Sequence, residues 1–255
     1  MNESPEHPDW LTTEAFYVQR TNAPSPHYLG GPTQHAGADC PECGREVTLT
    51  WDLDLTAAGI PVALRQGYSS LRRLPLYVCS QCNVLSYQVI DDENIACFPH
   101  ATEMDWCLGD ESPHYERRAE IERQPIRLNP MPPEIDALWV RQRYLRHDRS
   151  LDDDDLARLQ GYFDSLEVHP EDPDYYSQLC GDPYWIQGSG IMDCPNPECN
   201  GRQRTALSCE GIAMKRLAHI SPPDSPGLGD SIGYFDYQFL ACPVCFSISV
   251  QYECT

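Results

Sequence analysis

The sequence predicts an α+β fold, mainly β, in which two pseudo-duplicated knuckle lobes are joined by a partly helical bridge. Three observations point there. Cysteine pairs recur in two sets, Cys40-Pro-Glu-Cys43 with Cys79-Ser-Gln-Cys82, and Cys194-Pro-Asn-Pro-Glu-Cys199 with Cys242-Pro-Val-Cys245. Segments beside the pairs alternate apolar and polar residues, the period-2 pattern of half-buried strands. The order glycine-proline turn, knuckle, strands, knuckle, strand occurs twice, which marks an internal duplication.

Residues 1–27 are polar and proline-bearing and read as an N-terminal arm, with Trp10, Phe16 and Tyr17 as side chains able to dock. The first lobe spans 28–94 and opens on Tyr28-Leu-Gly-Gly-Pro32. Residues 47–55 (VTLTWDLDL) place an apolar side chain at every second position and predict a strand. Residues 56–73, with Gly59, Pro61 and Gly67, read as a long connection. A strand over 74–78 enters the second knuckle and one over 84–90 leaves it.

The bridge spans 95–177. Prolines at 99, 113, 125, 130, 132 and 133 exclude long helices, so 91–132 reads as irregular. Helices are expected over 134–147, with Pro132 and Pro133 at the start, and from the Ser150–Asp155 segment towards Leu166. Ser150 suits the N-cap there, and Asp152, Asp153, Asp154 and Asp155 sit at the positive end of the helix dipole. The aspartate run lacks the alternating spacing and turn glycine of a calcium loop, so it reads as a capped helix start. The second lobe, 178–255, opens near Gly181-Asp-Pro-Tyr-Trp-Ile-Gln187. It ends in a strand over 234–241, a knuckle and a strand over 246–252. With Cys82 aligned on Cys245, Leu85, Tyr87 and Val89 match Ile248, Val250 and Tyr252 as inward positions. Ser86 and Gln88 match Ser249 and Gln251 as outward ones, and Gly31 and Pro32 correspond to Gly181 and Pro183.

Each cysteine set offers four soft thiolates, the donor set of a tetrahedral structural zinc ion. The expected ligands are Cys40, Cys43, Cys79 and Cys82 for one ion, and Cys194, Cys199, Cys242 and Cys245 for the other. Proline after the leading cysteine stiffens three of the pairs, and Gly44 can take the positive φ a knuckle needs. The Cys-x4-Cys pair of the second set departs from the ideal knuckle. A redox dithiol sits at a helix start, whereas Cys79–Cys82 and Cys242–Cys245 precede strand-like segments. Iron in place of zinc stays open. His35, close to Cys40, is a possible substitute ligand. Four protein ligands close a site to water and substrate, so the expected role of the two zinc ions is structural, each contributing on the order of 10 kcal/mol.

The chain carries 39 acidic against 18 basic residues, a net charge of −21, and Lys215 is its single lysine. Such a surface repels nucleic acid and attracts a basic protein. Arg141, Arg143, Arg146 and Arg149 form the densest basic stretch and abut the aspartate run, so a nucleic-acid-binding zinc ribbon is the disfavoured alternative. Tyr184 and Trp185 are candidates for a partner groove, or pack against the sheet. No His-Glu-x-x-His, Gly-x-Ser-x-Gly, P-loop or dinucleotide fingerprint occurs, so no catalytic residue and no enzyme is expected. An enzyme with a cleft site between the lobes remains the alternative. The N-terminus has neither the basic nor the apolar region of a signal peptide, and no apolar run reaches membrane-spanning length, so a cytoplasmic protein without membrane contact is expected. Of thirteen cysteines, those outside the knuckles (Cys97, Cys107, Cys180, Cys209 and Cys254) then read as free thiols rather than disulfides.

The segment Gly181-Asp-Pro-Tyr-Trp-Ile-Gln187, followed by a cysteine pair, strands and Cys242-Pro-Val-Cys245, resembles the YwqG-like family of bacterial proteins and the related programmed cell death protein 2 family. Tyr28-Leu-Gly-Gly-Pro32 with Cys40 and Cys43 is similar to a first copy of the same unit. The resemblance covers roughly residues 28–92 and 178–255. It implies a β-rich, pseudo-duplicated fold and a chaperone-like or immunity-type role in binding another protein. The first copy has Thr33 and Gln34 where the family carries a tryptophan, and the second has Asp182 where it often carries glycine.

Overall fold

The computed structural model describes residues 14–79, 82, 84–99, 121–144, 151–167, 177–181, 193–199, 214–220 and 235–254. The first half supplies β1 (Ala15–Arg20), β2 (His27–Gly31), β3 (Thr48–Asp54), α1 (Val62–Gly67), β4 (Arg73–Val78), β5 (Leu85–Val89) and β6 (Ile95–Phe98). The second supplies β7 (Ile121–Met131), α2 (Pro133–Tyr144), α3 (Asp153–Ser165), β8 (Ser177–Cys180), β9 (Lys215–Ile220), β10 (Phe235–Ala241) and β11 (Ile248–Cys254). The fold is mainly β, as the alternation predicts: β3, β4, β5, β10 and β11 lie where the sequence places strands.

All eleven described strands join one antiparallel sheet in the order β4-β3-β2-β7-β1-β8-β9-β10-β11-β5-β6. The two halves are therefore interlaced. β1 of the first half pairs with β7 and β8 of the second. β7 of the second half pairs with β2 and β1 of the first. β5 pairs with its duplicate β11, with Ser86 opposite Ser249, Leu85 opposite Val250 and Tyr87 opposite Ile248. In the duplicated alignment Ser86 and Ser249 are equivalent and meet on a local two-fold axis, which relates the Leu85–Val250 pair to the Tyr87–Ile248 pair. The sheet curls until its β4 end reaches β5: the Tyr77 N–H donates to the Tyr87 hydroxyl at 3.0 Å, and that hydroxyl donates to the Pro75 carbonyl at 3.1 Å.

Two expectations are corrected here. The polar arm contains β1, which lies inside the sheet, with Phe16 and Val18 in the main core and Ala15 and Tyr17 in a second core beneath the helices. The stretch read as irregular contains β7, the longest strand described. Its prolines are tolerated because β7 is paired on one side at a time. Residues 121–126 pair with β2 and residues 126–131 with β1. Pro125 and Pro130 thus sit at places that behave as sheet edges, where a missing N–H costs no ladder bond.

The sheet curls around an apolar core that includes Trp51, Leu53, Leu74, Tyr77, Tyr87 and Phe239. Curling also buries positions that alternation marks as outward. Thr50 donates to the Leu76 carbonyl at 2.6 Å, and Ser86 meets Ser249 at 2.8 Å, so their hydroxyls are paired rather than solvated. On the opposite face, α2 and α3 cover β1 and β7 through Trp139, Leu159 and Phe163, with Tyr17 edge-on to Phe163 at 5.5 Å. The N-cap of α3 is Asp152, not Ser150: its carboxylate accepts the Asp155 N–H at 2.8 Å, and Asp153, Asp154 and Asp155 fill the first turn. The aspartates behave as a capped helix start.

Glycines mark where the halves cross. Gly30 has φ +66°, and a Cβ there would lie 2.6 Å from the Ile121 carbonyl oxygen on β7. Gly181, with φ +80°, packs against Ala15 on β1 and Asp136 on α2. Only glycine combines that backbone with such an approach.

Candidate metal centres

The β3–β4 register sets Thr48 opposite Val78, which brings the turn before β3 and the turn after β4 to one end of the sheet. Those turns carry Cys40, Cys43, Cys79 and Cys82, whose sulfurs lie within 4.8 Å of one another. In the second half the β10–β11 turn carries Cys242 and Cys245. The segment before β9 brings Cys194 and Cys199 to them, again within 4.8 Å. The structure thus gathers all eight predicted ligands, four and four. His35 is not among them: its Nδ1 lies 2.8 Å from the Tyr77 hydroxyl.

Two sulfur pairs in each group are close to the edge of a tetrahedron. Cys43–Cys79 measures 3.6 Å and Cys40–Cys82 3.9 Å. Cys194–Cys245 measures 3.4 Å and Cys199–Cys242 3.9 Å. Four thiolates around one ion with metal–sulfur bonds of about 2.3 Å would be about 3.8 Å apart. The distances are too long for disulfides and suit a shared cation. Each group could hold one metal ion.

The leading knuckle of the first centre and the closing knuckle of the second share one backbone design. The Cys40 N–H donates to the Arg45 carbonyl, and the Gly44 N–H returns to the Cys40 carbonyl, both at 2.8 Å. The Cys242 N–H donates to the Ser247 carbonyl at 2.8 Å, and the Phe246 N–H returns to the Cys242 carbonyl at 3.0 Å. The fifth residue has positive φ in both, +67° at Gly44 and +60° at Phe246. Amides also point at sulfur: the Cys82 N–H lies 3.3 Å from the Cys79 Sγ, and the Val244 N–H 3.5 Å from the Cys242 Sγ.

Burial and proximity split the thiol acidities. Hydrogen bonding with Cys79 pulls Cys40 down to about 5, and the same bond, aided by burial, pushes Cys79 up. In the second centre Cys245 is pulled down, first by Cys194, then by Cys242 and also by Ser247, whose hydroxyl is 3.1 Å away. Cys194 is pushed up by Cys242 and Cys245, and burial raises Cys199 to about 12. Cys40 and Cys245 are thus the readily ionised sulfurs, set against the reluctant Cys79, Cys194 and Cys199. A bound dication would favour the thiolate form of all four in each cluster.

Cys97 stands apart, its thiol 3.5 Å from the Gly37 carbonyl and pushed up to about 11 by burial. Tyr184, Trp185 and Cys209 lie outside the described residues. Sequence reasoning missed the residues that brace the second centre. Gln88 donates to the Cys245 carbonyl at 2.8 Å, and its side-chain oxygen accepts from Asn196 at 3.2 Å. Asn196 in turn accepts the Glu198 N–H at 2.9 Å. The Gln88–Gln251 match was visible in the sequence, but a curled sheet that turns Gln88 inward was not.

Among the described residues no helix is long and apolar enough to cross a membrane. Comparison with family models, with curated proteins and with solved structures gives no match.

Proposed function

We propose that the protein is a non-enzymatic zinc protein: two zinc ions pin the halves of an interlaced sheet, and its acidic exterior binds a basic protein client. The observation that carries this reading is the pair of four-cysteine groups. All-thiolate sites with four protein ligands are structural, and thiolate softness favours zinc over hard cations.

The client class rests on charge. The net charge is −21, and Arg73, Arg123 and Arg141 are already engaged by acids. Arg73 pairs with Asp52 at 2.5 Å and Asp54 at 3.5 Å, and Arg123 reaches Asp52 at 3.4 Å. Arg141, a member of the basic stretch considered for nucleic acid, faces Asp155 at 3.1 Å. Surplus carboxylates then steer encounter with an arginine- and lysine-rich surface. The resemblance to the YwqG-like family belongs to the same proposal, through the knuckles and the duplication. Affinity purification from the native cell at low salt tests it. The expected result is a stoichiometric basic protein that dissociates as salt rises; recovery of neutral or acidic partners only, or of nucleic acid, counts against it.

A further inference from the structure

The first half of the chain reaches across to the second centre. Gln88 on β5 bonds both limbs of that centre at once, the Cys245 carbonyl through its amide nitrogen and Asn196, within the Cys194–Cys199 segment, through its oxygen. Tyr68, also from the first half, donates to the next carbonyl, Phe246, at 3.2 Å, and its ring lies 5.5 Å from the Phe246 ring. Two consecutive carbonyls of the closing knuckle are therefore held by side chains from outside its own lobe. The duplicate of Gln88 is Gln251, and among the described residues it makes no matching bond to the Cys82 knuckle. Among the described residues the brace runs one way.

This brace falls where the second centre departs from the ideal. Cys194 and Cys199 are separated by four residues rather than two, so their turn is longer than a Cys-x2-Cys knuckle. Asn196 tightens it through the Glu198 N–H, and Gln88 fixes the Asn196 amide. Phe246 occupies left-handed backbone, which strains a residue with a Cβ. The Tyr68 contact holds it there.

We propose that Gln88 is a positioning residue for the second metal ion, so that this ion's retention depends on a strand of the first half. The inference rests on the metal reading above. Residues that orient metal ligands change affinity by roughly tenfold to a hundredfold when removed. Gln88 is half-buried, and Gln88→Met keeps its length while removing both bonds. Gln88→Glu keeps the acceptor and removes the donor, as a second variant.

The test loads the full-length protein with cadmium and follows two four-thiolate resonances by cadmium NMR, the second-centre signal identified by its loss in Cys245→Ser and the remaining one assigned to the first centre. A chelator is then titrated in. Expected for Gln88→Met is a shifted second-centre signal and roughly tenfold or greater weakening of that ion alone. Gln251→Met, the duplicate position, leaves both ions unchanged. Equal retention in wild type and both Gln88 variants overturns the positioning role alone, and so does equal weakening of both ions. Wild type that holds no ion at the second centre overturns the metal reading, and the positioning role with it.

Discussion

The knuckle at Cys40 turns on Gly44 and the knuckle at Cys242 turns on Phe246, with φ +67° and +60°. Glycine takes that backbone without strain, and open space surrounds Gly44, with nothing within 4 Å of a Cβ built there. Phenylalanine does not take it freely; the Tyr68 ring and hydroxyl hold it from the other half. The same turn is thus made in one place by residue choice and in the other by a neighbour. The first centre takes its cysteines from two Cys-x2-Cys pairs of its own half, while the closing knuckle of the second is braced by the first half.

Ligand removal separates the two centres most sharply. Cys79→Ser should release the first ion and, by loosening β5, the second, at a cost on the order of 10 kcal/mol of metal-linked stability. Cys242→Ser should release the second ion and leave the first. Zinc per chain measured on the two purified variants checks this; full retention of the second ion in Cys79→Ser breaks the proposed dependence.

Backbone substitutions come next. Gly30→Ala meets the Ile121 carbonyl and should cost more than the roughly 1–2 kcal/mol of left-handed strain alone. Gly44→Ala, with open space around it, should cost only that strain. Denaturant midpoints rank the two, and equal costs would mean that β7 yields at the crossing.

The hydroxyl pair on the local axis tests the seam between duplicates. Ser86→Ala leaves the Ser249 hydroxyl buried without its partner and should cost about 1–3 kcal/mol. The double variant with Ser249→Ala should recover much of that loss, because no orphan remains. Strict additivity in a double-mutant cycle would show that the two hydroxyls do not interact.

The smallest effect concerns pH and the first half. Burial holds His27 below its ordinary 6.5, against the opposing pull of Asp54 and Asp52. Its Nδ1 accepts the Asp54 N–H at 3.2 Å, a role the neutral ring fills. His35 is lowered by burial too. The unfolded chain therefore takes protons that the folded one resists, so stability falls as pH drops below about 6.5. The thermal midpoint of His27→Gln should fall less over that interval than that of wild type; parallel curves would remove His27 from the account. Thiolate protonation is common to both proteins and cancels in the difference.

The sheet's outer arms were legible because β3, β5, β10 and β11 alternate apolar and polar side chains, which imprints a period of two even though the curl buries most of both sets. The eight ligands were legible because sulfur pairs at fixed spacing have few other uses. β1 and β7 were not. Their neighbours come from the opposite half, and no local pattern encodes that crossing. Pro125 and Pro130 argue against a strand unless β7 is known to pair on one side at a time. Gln88 and Tyr68 were silent for a related reason: a brace formed across the curl leaves no trace in spacing. Asp152 displaced Ser150 as the cap because either side chain suits that end of a helix, and sequence does not fix the first turn to the residue.

Elemental analysis of the full-length protein, purified without added metal or chelator, tests the two-ion account most directly. The expected result is two zinc ions per chain, lost together with cooperative unfolding when a strong chelator is added. A folded, monodisperse protein with no stoichiometric metal would contradict it.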